Sequence, residues 1–134
     1  MNLARTVAAV LGVVYVLVGI LGFVPAFVSG GAPADMPSAS GNLIGIFPIN
    51  ALHNVVHLAI GAALLYGATA TPAAIMVSRV VGIVLLLVGV AGFVSADGFG
   101  LLPLGGIDIG LHLVSGAVLA YIGFVGQSPE AATA

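Results

Sequence analysis

From Thr6 to Val28 no charged side chain interrupts an apolar run. In a helix, at about 1.5 Å per residue, such a run crosses the roughly 30 Å hydrocarbon core of a bilayer with some tilt. Inside hydrocarbon each backbone N–H and C=O must be bonded within its own segment, which makes the helix the conformation open to a run of this kind. Further apolar runs cover residues 50–68, 74–94 and 107–125. The expected fold class is all-α: a polytopic membrane protein, a four-helix transmembrane bundle forming a single domain over residues 1–134. A secretory signal peptide is the alternative for residues 6–28, with Arg5 ahead of the run and Gly31-Ala32-Pro33-Ala34 as a cleavage region. The run is longer than the roughly 7–15 residues of a signal core, which favours a span.

Composition narrows the function classes. Of 134 residues, 61% are hydrophobic and 4% charged, so the lipid bilayer is the first expected partner. Two Arg against four acids form no basic patch, and nucleic-acid binding has no electrostatic basis. The absence of Cys excludes disulfides, thiolate metal sites and Cys nucleophiles.

Between the runs lie a Gly/Pro/Ser loop over 29–48 with Asp35, a short connection over 69–72, a Gly-rich loop over 95–106 with Asp97, and a polar tail over 126–134 with Glu130. Residues 43–48 are apolar enough to lie in the interface or fold back over the mouth of the bundle. Four spans put both termini and the 69–72 connection on one side, which holds Arg5 and Arg79. By the positive-inside rule that side is cytoplasmic.

One stretch breaks the apolar pattern. Asn50, His53, Asn54, His57 and Gly61 fall within roughly 100° of one helix face, and a polar stripe on a spanning helix must look inward. The fourth run carries Asp108, His112, Ser115 and Gly116 on one face in the same way. The likeness extends further. Gly12, Gly19, Gly22, Phe23 and Val24 recur at an offset of 70 as Gly82, Gly89, Gly92, Phe93 and Val94. His57-Leu58-Ala59-Ile60-Gly61-Ala62 recurs as His112-Leu113-Val114-Ser115-Gly116-Ala117, Tyr66 matches Tyr121, and Asp108 stands where the first copy has His53. These coincidences predict two parallel two-helix repeats, over about 1–70 and 71–134, related by an axis along the membrane normal. His57 and His112 then sit at one depth and face the centre. Gly19, Gly22, Gly61, Gly89, Gly92 and Gly116 are expected at close helix contacts.

His53, His57, Asp108 and His112 form two i, i+4 pairs whose three imidazoles and one carboxylate suit a divalent transition metal such as zinc, copper, iron or manganese. Asn50, Asn54, Ser115 and Tyr15 are the expected supporting partners. A haem b ligated by His57 and His112 is a second cofactor reading. A third has no cofactor: the cluster bonds helix to helix in an accessory or structural subunit of a larger membrane complex, or in a homo-oligomer. A proton or small-solute pathway is a fourth. Catalytic residues are not expected, because no Gly-x-Ser-x-Gly elbow, phosphate loop or metalloprotease motif occurs. Tyr66 and Tyr121 read as interfacial anchors, while mid-span Tyr15 is placed to donate its hydroxyl into the bundle.

The stretch Asn50-Ala51-Leu52-His53-Asn54-Val55-Val56-His57-Leu58 with Gly61, and Asp108-Ile109-Gly110-Leu111-His112-Leu113, resembles a family of small bacterial integral membrane proteins classed as domain of unknown function number 4383. The resemblance covers all four spans and implies a four-helix protein of the bacterial cytoplasmic membrane, with no assigned mechanism. Members often carry an Asn shortly before the Asp of the second motif; Gly105 and Gly106 stand there in this sequence.

Overall fold

Local signals set the ends of the helices in the computed structural model, which describes residues 1–125. The tail with Glu130 lies outside the described residues. Helix α1 (Leu3–Leu21) opens on Asn2, whose side chain accepts the Arg5 N–H and so satisfies one of the free donors of the first turn. It closes before Gly22, ahead of a 3₁₀ turn over Pro25–Phe27. Helix α2 (Ala51–Gly67) is capped by Asn50 through the His53 N–H at 2.8 Å. Helix α3 (Thr71–Val94) has Pro72 in its first turn, where the missing N–H costs nothing. A short α4 (Gly98–Leu101), kinked at Phe99 and Gly100, precedes α5 (Ile107–Phe124).

The chain is mostly helical, and α1, α3 and α5 are long and apolar enough to cross a membrane. Helix α2, with 17 residues, reaches roughly 25 Å by the α-helical rise.

The 29–48 loop departs from an all-α reading. Strands β1 (Val28–Ser29), β2 (Gly41–Leu43) and β3 (Phe47–Ile49) form an antiparallel sheet in the order β1-β2-β3, with Val28 opposite Leu43 and Gly41 opposite Ile49. The first apolar run therefore leaves its helix at Leu21, seven residues before its last apolar residue, Val28. Pro25 has no N–H to continue a helical ladder, and Val28 pairs in the sheet. The apolar segment over 43–48 is the β2–β3 hairpin, turned through Ile44 and Gly45, both with positive φ.

Two seams hold the long helices. A Cβ on Gly61 of α2 would stand 2.7 Å from the Val16 nitrogen and 2.8 Å from the Gly12 carbonyl oxygen of α1. A Cβ on Gly116 of α5 would stand 2.9 Å from the Leu86 nitrogen and 3.1 Å from the Gly82 oxygen of α3. Backbone lies against backbone in both seams, as small residues permit between membrane helices. Leu64, Leu85 and Leu119 are fully buried between the pairs.

The two ends are tied differently. At one end Arg5 Nε donates to the Ala68 carbonyl at 2.8 Å, Arg79 Nε donates to the Gly123 carbonyl at 2.9 Å, and the Asn2 amide donates to Thr71 Oγ1. Both guanidinium groups thus meet the carbonyl-rich C-terminal ends of helices, where positive charge is favourable. At the other end Asp97 accepts from the Ser38 N–H and hydroxyl, and the Asn50 amide donates to the Ser38 and Leu101 carbonyls. The two long loops are joined there.

The seams make a direct prediction. Gly61→Ala forces the α1 and α2 backbones apart and should destabilise the protein by about 1–3 kcal/mol, the usual cost of overpacking. At Gly110, where a Cβ meets nothing within 4 Å, the same change should stabilise by about 0.5–1 kcal/mol. Thermal unfolding of both variants in one detergent checks the pair.

Candidate functional site

Helix α2 turns His53, Asn54 and His57 into the interior, and α5 does the same with Asp108 and His112 one turn apart; all five are buried. Their rings converge. His53 lies 4.5 Å from His57 and 6.0 Å from His112 between centroids, and His57 lies 6.1 Å from His112. One donor nitrogen of each imidazole falls within 4.8 Å of the others. Asp108 Oδ2 stands between the helices, 3.3 Å from His112 Nδ1 and 3.6 Å from His53 Nε2.

Hydrogen bonds set which nitrogens are free. His57 Nδ1 is 2.9 Å from the His53 carbonyl, one turn back in its own helix. A carbonyl only accepts, so Nδ1 carries the proton and Nε2 keeps its lone pair. Ser115 Oγ donates to the Leu111 carbonyl at 2.6 Å, and its single proton is then used. The Tyr15 hydroxyl, 2.9 Å from Ser115 Oγ, is therefore the donor in that contact, which links α1 to α5. The Tyr15 ring stacks on His57 at 5.2 Å.

Two buried polar atoms of this group, His53 Nδ1 and Asn54 Oδ1, have no hydrogen-bond partner among the described residues, while Asp108 Oδ2 and His112 Nδ1 face each other at 3.3 Å. Each unpartnered atom costs about 1–3 kcal/mol when left alone. No Arg offsets the Asp108 carboxylate, since Arg5 and Arg79 are bonded at the opposite end.

The four residues singled out in the sequence as ligands, His53, His57, Asp108 and His112, thus meet in one place. Their expected supporters divide. Tyr15 and Ser115 bond to one another beside the imidazoles, whereas Asn50 caps α2 and ties the two long loops. Asn54 packs on α1 at Gly22, where a Cβ would overlap its amide. Gly19 and Gly61 lie in the α1–α2 seam, and Gly89, Gly92 and Gly116 face α5 or α3 across the other; a Cβ on Gly92 would stand 2.8 Å from Ile109 Cγ1.

The sequence reading omits a cleft of about 600 Å³ between α1 and α5, with His53, His57, Asp108 and His112 in its wall. Val10, Val14 and Val18 line it from α1, Val114 and Val118 from α5, and Leu43 and Phe47 from the sheet. The i, i+4 valines were the available signal, hidden in a chain where apolar residues fill nearly every face.

The sequence pattern of the family described as "Domain of unknown function (DUF4383)" matches residues 5–125. The chain belongs to this family. No curated protein and no solved structure matches it. The DUF4383 match takes in both histidine-bearing helices, the three-stranded sheet and both glycine seams.

The Tyr15–Ser115 contact should be measurable by a double-mutant cycle. Tyr15→Phe and Ser115→Ala are expected to couple by about 0.6–2 kcal/mol, the range for side-chain bonds between membrane helices. Unfolding of the two single variants and the double variant in detergent gives the coupling.

Proposed function

We propose that this DUF4383 protein is a metal-binding membrane protein that holds one divalent transition ion on His53, His57 and His112. The observation that carries this reading is the approach of three imidazole nitrogens to within 4.8 Å in a buried pocket. A tetrahedral zinc site needs nitrogen–nitrogen separations of about 3.3 Å, given Zn–N bonds near 2.0–2.1 Å. Small rotations of the rings close that difference. The carboxylate of Asp108 beside His112 Nδ1 leaves Nε2 turned to the ion, the carboxylate–histidine–metal arrangement.

Two observations weigh against the other readings of the cluster. A porphyrin between His57 and His112 would have to share its space with His53, 4.5 Å from His57, which favours a single ion over haem. A cluster that served only to bond helices would not leave His53 Nδ1 and Asn54 Oδ1 buried without a partner.

The bundle in this reading consists of four spans in two parallel repeats. The seams support it: Gly12 meets Leu65 as Gly82 meets Ala120, and Gly19 meets Leu58 as Gly89 meets Leu113. The carbonyls that receive Arg5 and Arg79, on Ala68 and Gly123, are equivalent under the same shift. With both Arg at one end, the positive-inside rule makes that end cytoplasmic and puts the ion in the outer half of a bacterial cytoplasmic membrane.

Metal analysis of untagged protein in mild detergent should find close to one transition ion per chain. The His57→Ala, His112→Ala double variant should retain its helical circular dichroism and lose the ion. Folded wild-type protein that stays metal-free after exposure to zinc and copper would sink the proposal. Orientation has its own test, made simple by the absence of Cys. Ala34→Cys should react with an impermeant maleimide added outside intact cells and Thr69→Cys should not; the reverse pattern would invert the topology.

A further inference from the structure

The cleft between α1 and α5 has a polar end and an apolar body. Its polar end holds His53, His57, Asp108 and His112 with the Tyr15–Ser115 pair. On α1 the lining extends from Leu21 down to Thr6, about 22 Å by the helical rise. Below Tyr15 the walls are Val7, Val10, Leu11 and Val14 on one side and Val114 and Val118 on the other. Val10, Val14, Val114 and Val118 are also exposed on the outer surface of the helices. The cleft therefore opens sideways, toward hydrocarbon. Leu43, Phe47 and Ile49 of the sheet lie over its polar end and separate that end from the aqueous side.

We infer that the cleft binds a neutral lipid from within the bilayer, one with an oxygen-bearing ring headgroup and a long apolar tail, the chemical class of the isoprenoid quinones. The volume, about 600 Å³, falls within the range of small-molecule sites. Charge selects the head. While the imidazoles hold no ion, an anionic phosphate or carboxylate would meet the Asp108 carboxylate with no guanidinium at hand, because both Arg side chains are bonded at the far end. His57 Nε2, whose lone pair is free, accepts from a hydroxyl oxygen, with His53 and His112 beside it in the wall. The tail runs downward between the valine walls, where hydrocarbon meets hydrocarbon. This site goes beyond the metal centre and does not require an ion to be bound.

The test uses the full chain in phosphatidylcholine nanodiscs, freed of ions by chelation and, in parallel, as purified, with a decyl-substituted benzoquinone as the probe. Comparators are the same ring without its tail, palmitate and hexadecylamine. The expected result is one tailed quinone per chain, with the tailless ring at least about tenfold weaker. Val10→Trp and Val118→Trp, which narrow the tail channel away from the polar cluster, should each weaken the tailed probe by at least about tenfold. Val13→Trp, on an exposed position outside the cleft, should leave it unchanged. Metal content is read in the same samples and should not move, so failure here and failure of the ion site are separable. The inference is overturned if the tailless ring binds as well as the tailed one, or if palmitate or hexadecylamine displaces it at equal concentration. It is equally overturned if the cleft variants bind normally, or if the probe fails to bind while Val14→Cys and Val114→Cys crosslink two copies through this face.

Discussion

Close backbone contact at glycine is the constraint from which the rest of the molecule follows. Between membrane helices the hydrophobic effect supplies little preference, because lipid tails are as apolar as leucine side chains, so packing decides which helices adhere. Here α1 adheres to α2 through Gly12, Gly19 and Gly61, and α3 to α5 through Gly82, Gly89 and Gly116. Each seam fixes the depth of a histidine helix against its neighbour. No comparable small-residue seam joins α1 to α5, whose facing positions hold valines, and there the structure opens into a cleft. The same seams that close two sides of the molecule leave the third ajar.

That arrangement also explains where polar groups are tolerated. His53, His57, Asp108 and His112 project into space that the seams shelter from lipid, and the sheet over 28–49 covers them from the other side. Asp97 and Asn50 hold this cover in place by joining the two long loops through Ser38. Ionisable groups here are therefore separated from water by apolar strands and from lipid by helices, apart from the cleft itself.

Much of this was legible in the sequence, for identifiable reasons. Helices of membrane proteins announce themselves by length and apolarity, whereas their exact starts at Asn2, Asn50 and Pro72 are set by local chemistry that the apolar runs do not show. The convergence of His53, His57, Asp108 and His112 followed from helical spacing, since inward-facing polar residues have few places to go. The sheet was not legible: strands of two and three residues carry no periodicity, and Pro48 inside β3 argues against a strand by propensity. Nor was the role of Asn50. Its position on the polar face suggested support for the imidazoles, yet the first turn of α2 uses its oxygen and the two long loops use its nitrogen. The cleft was hidden because a cavity is a property of facing surfaces, and a valine against lipid reads the same as a valine against empty space.

The Tyr15–Ser115 bond is the one side-chain hydrogen bond between α1 and α5 among the described residues. Separating those helices breaks a single hydroxyl contact, whereas separating either seam parts backbone from backbone. The width of the α1–α5 gap thus depends on that hydroxyl contact. Tyr15 acts on it as a latch: the side chain that stacks on His57 also holds the far wall, so any spreading of the gap is felt at the imidazoles through one ring.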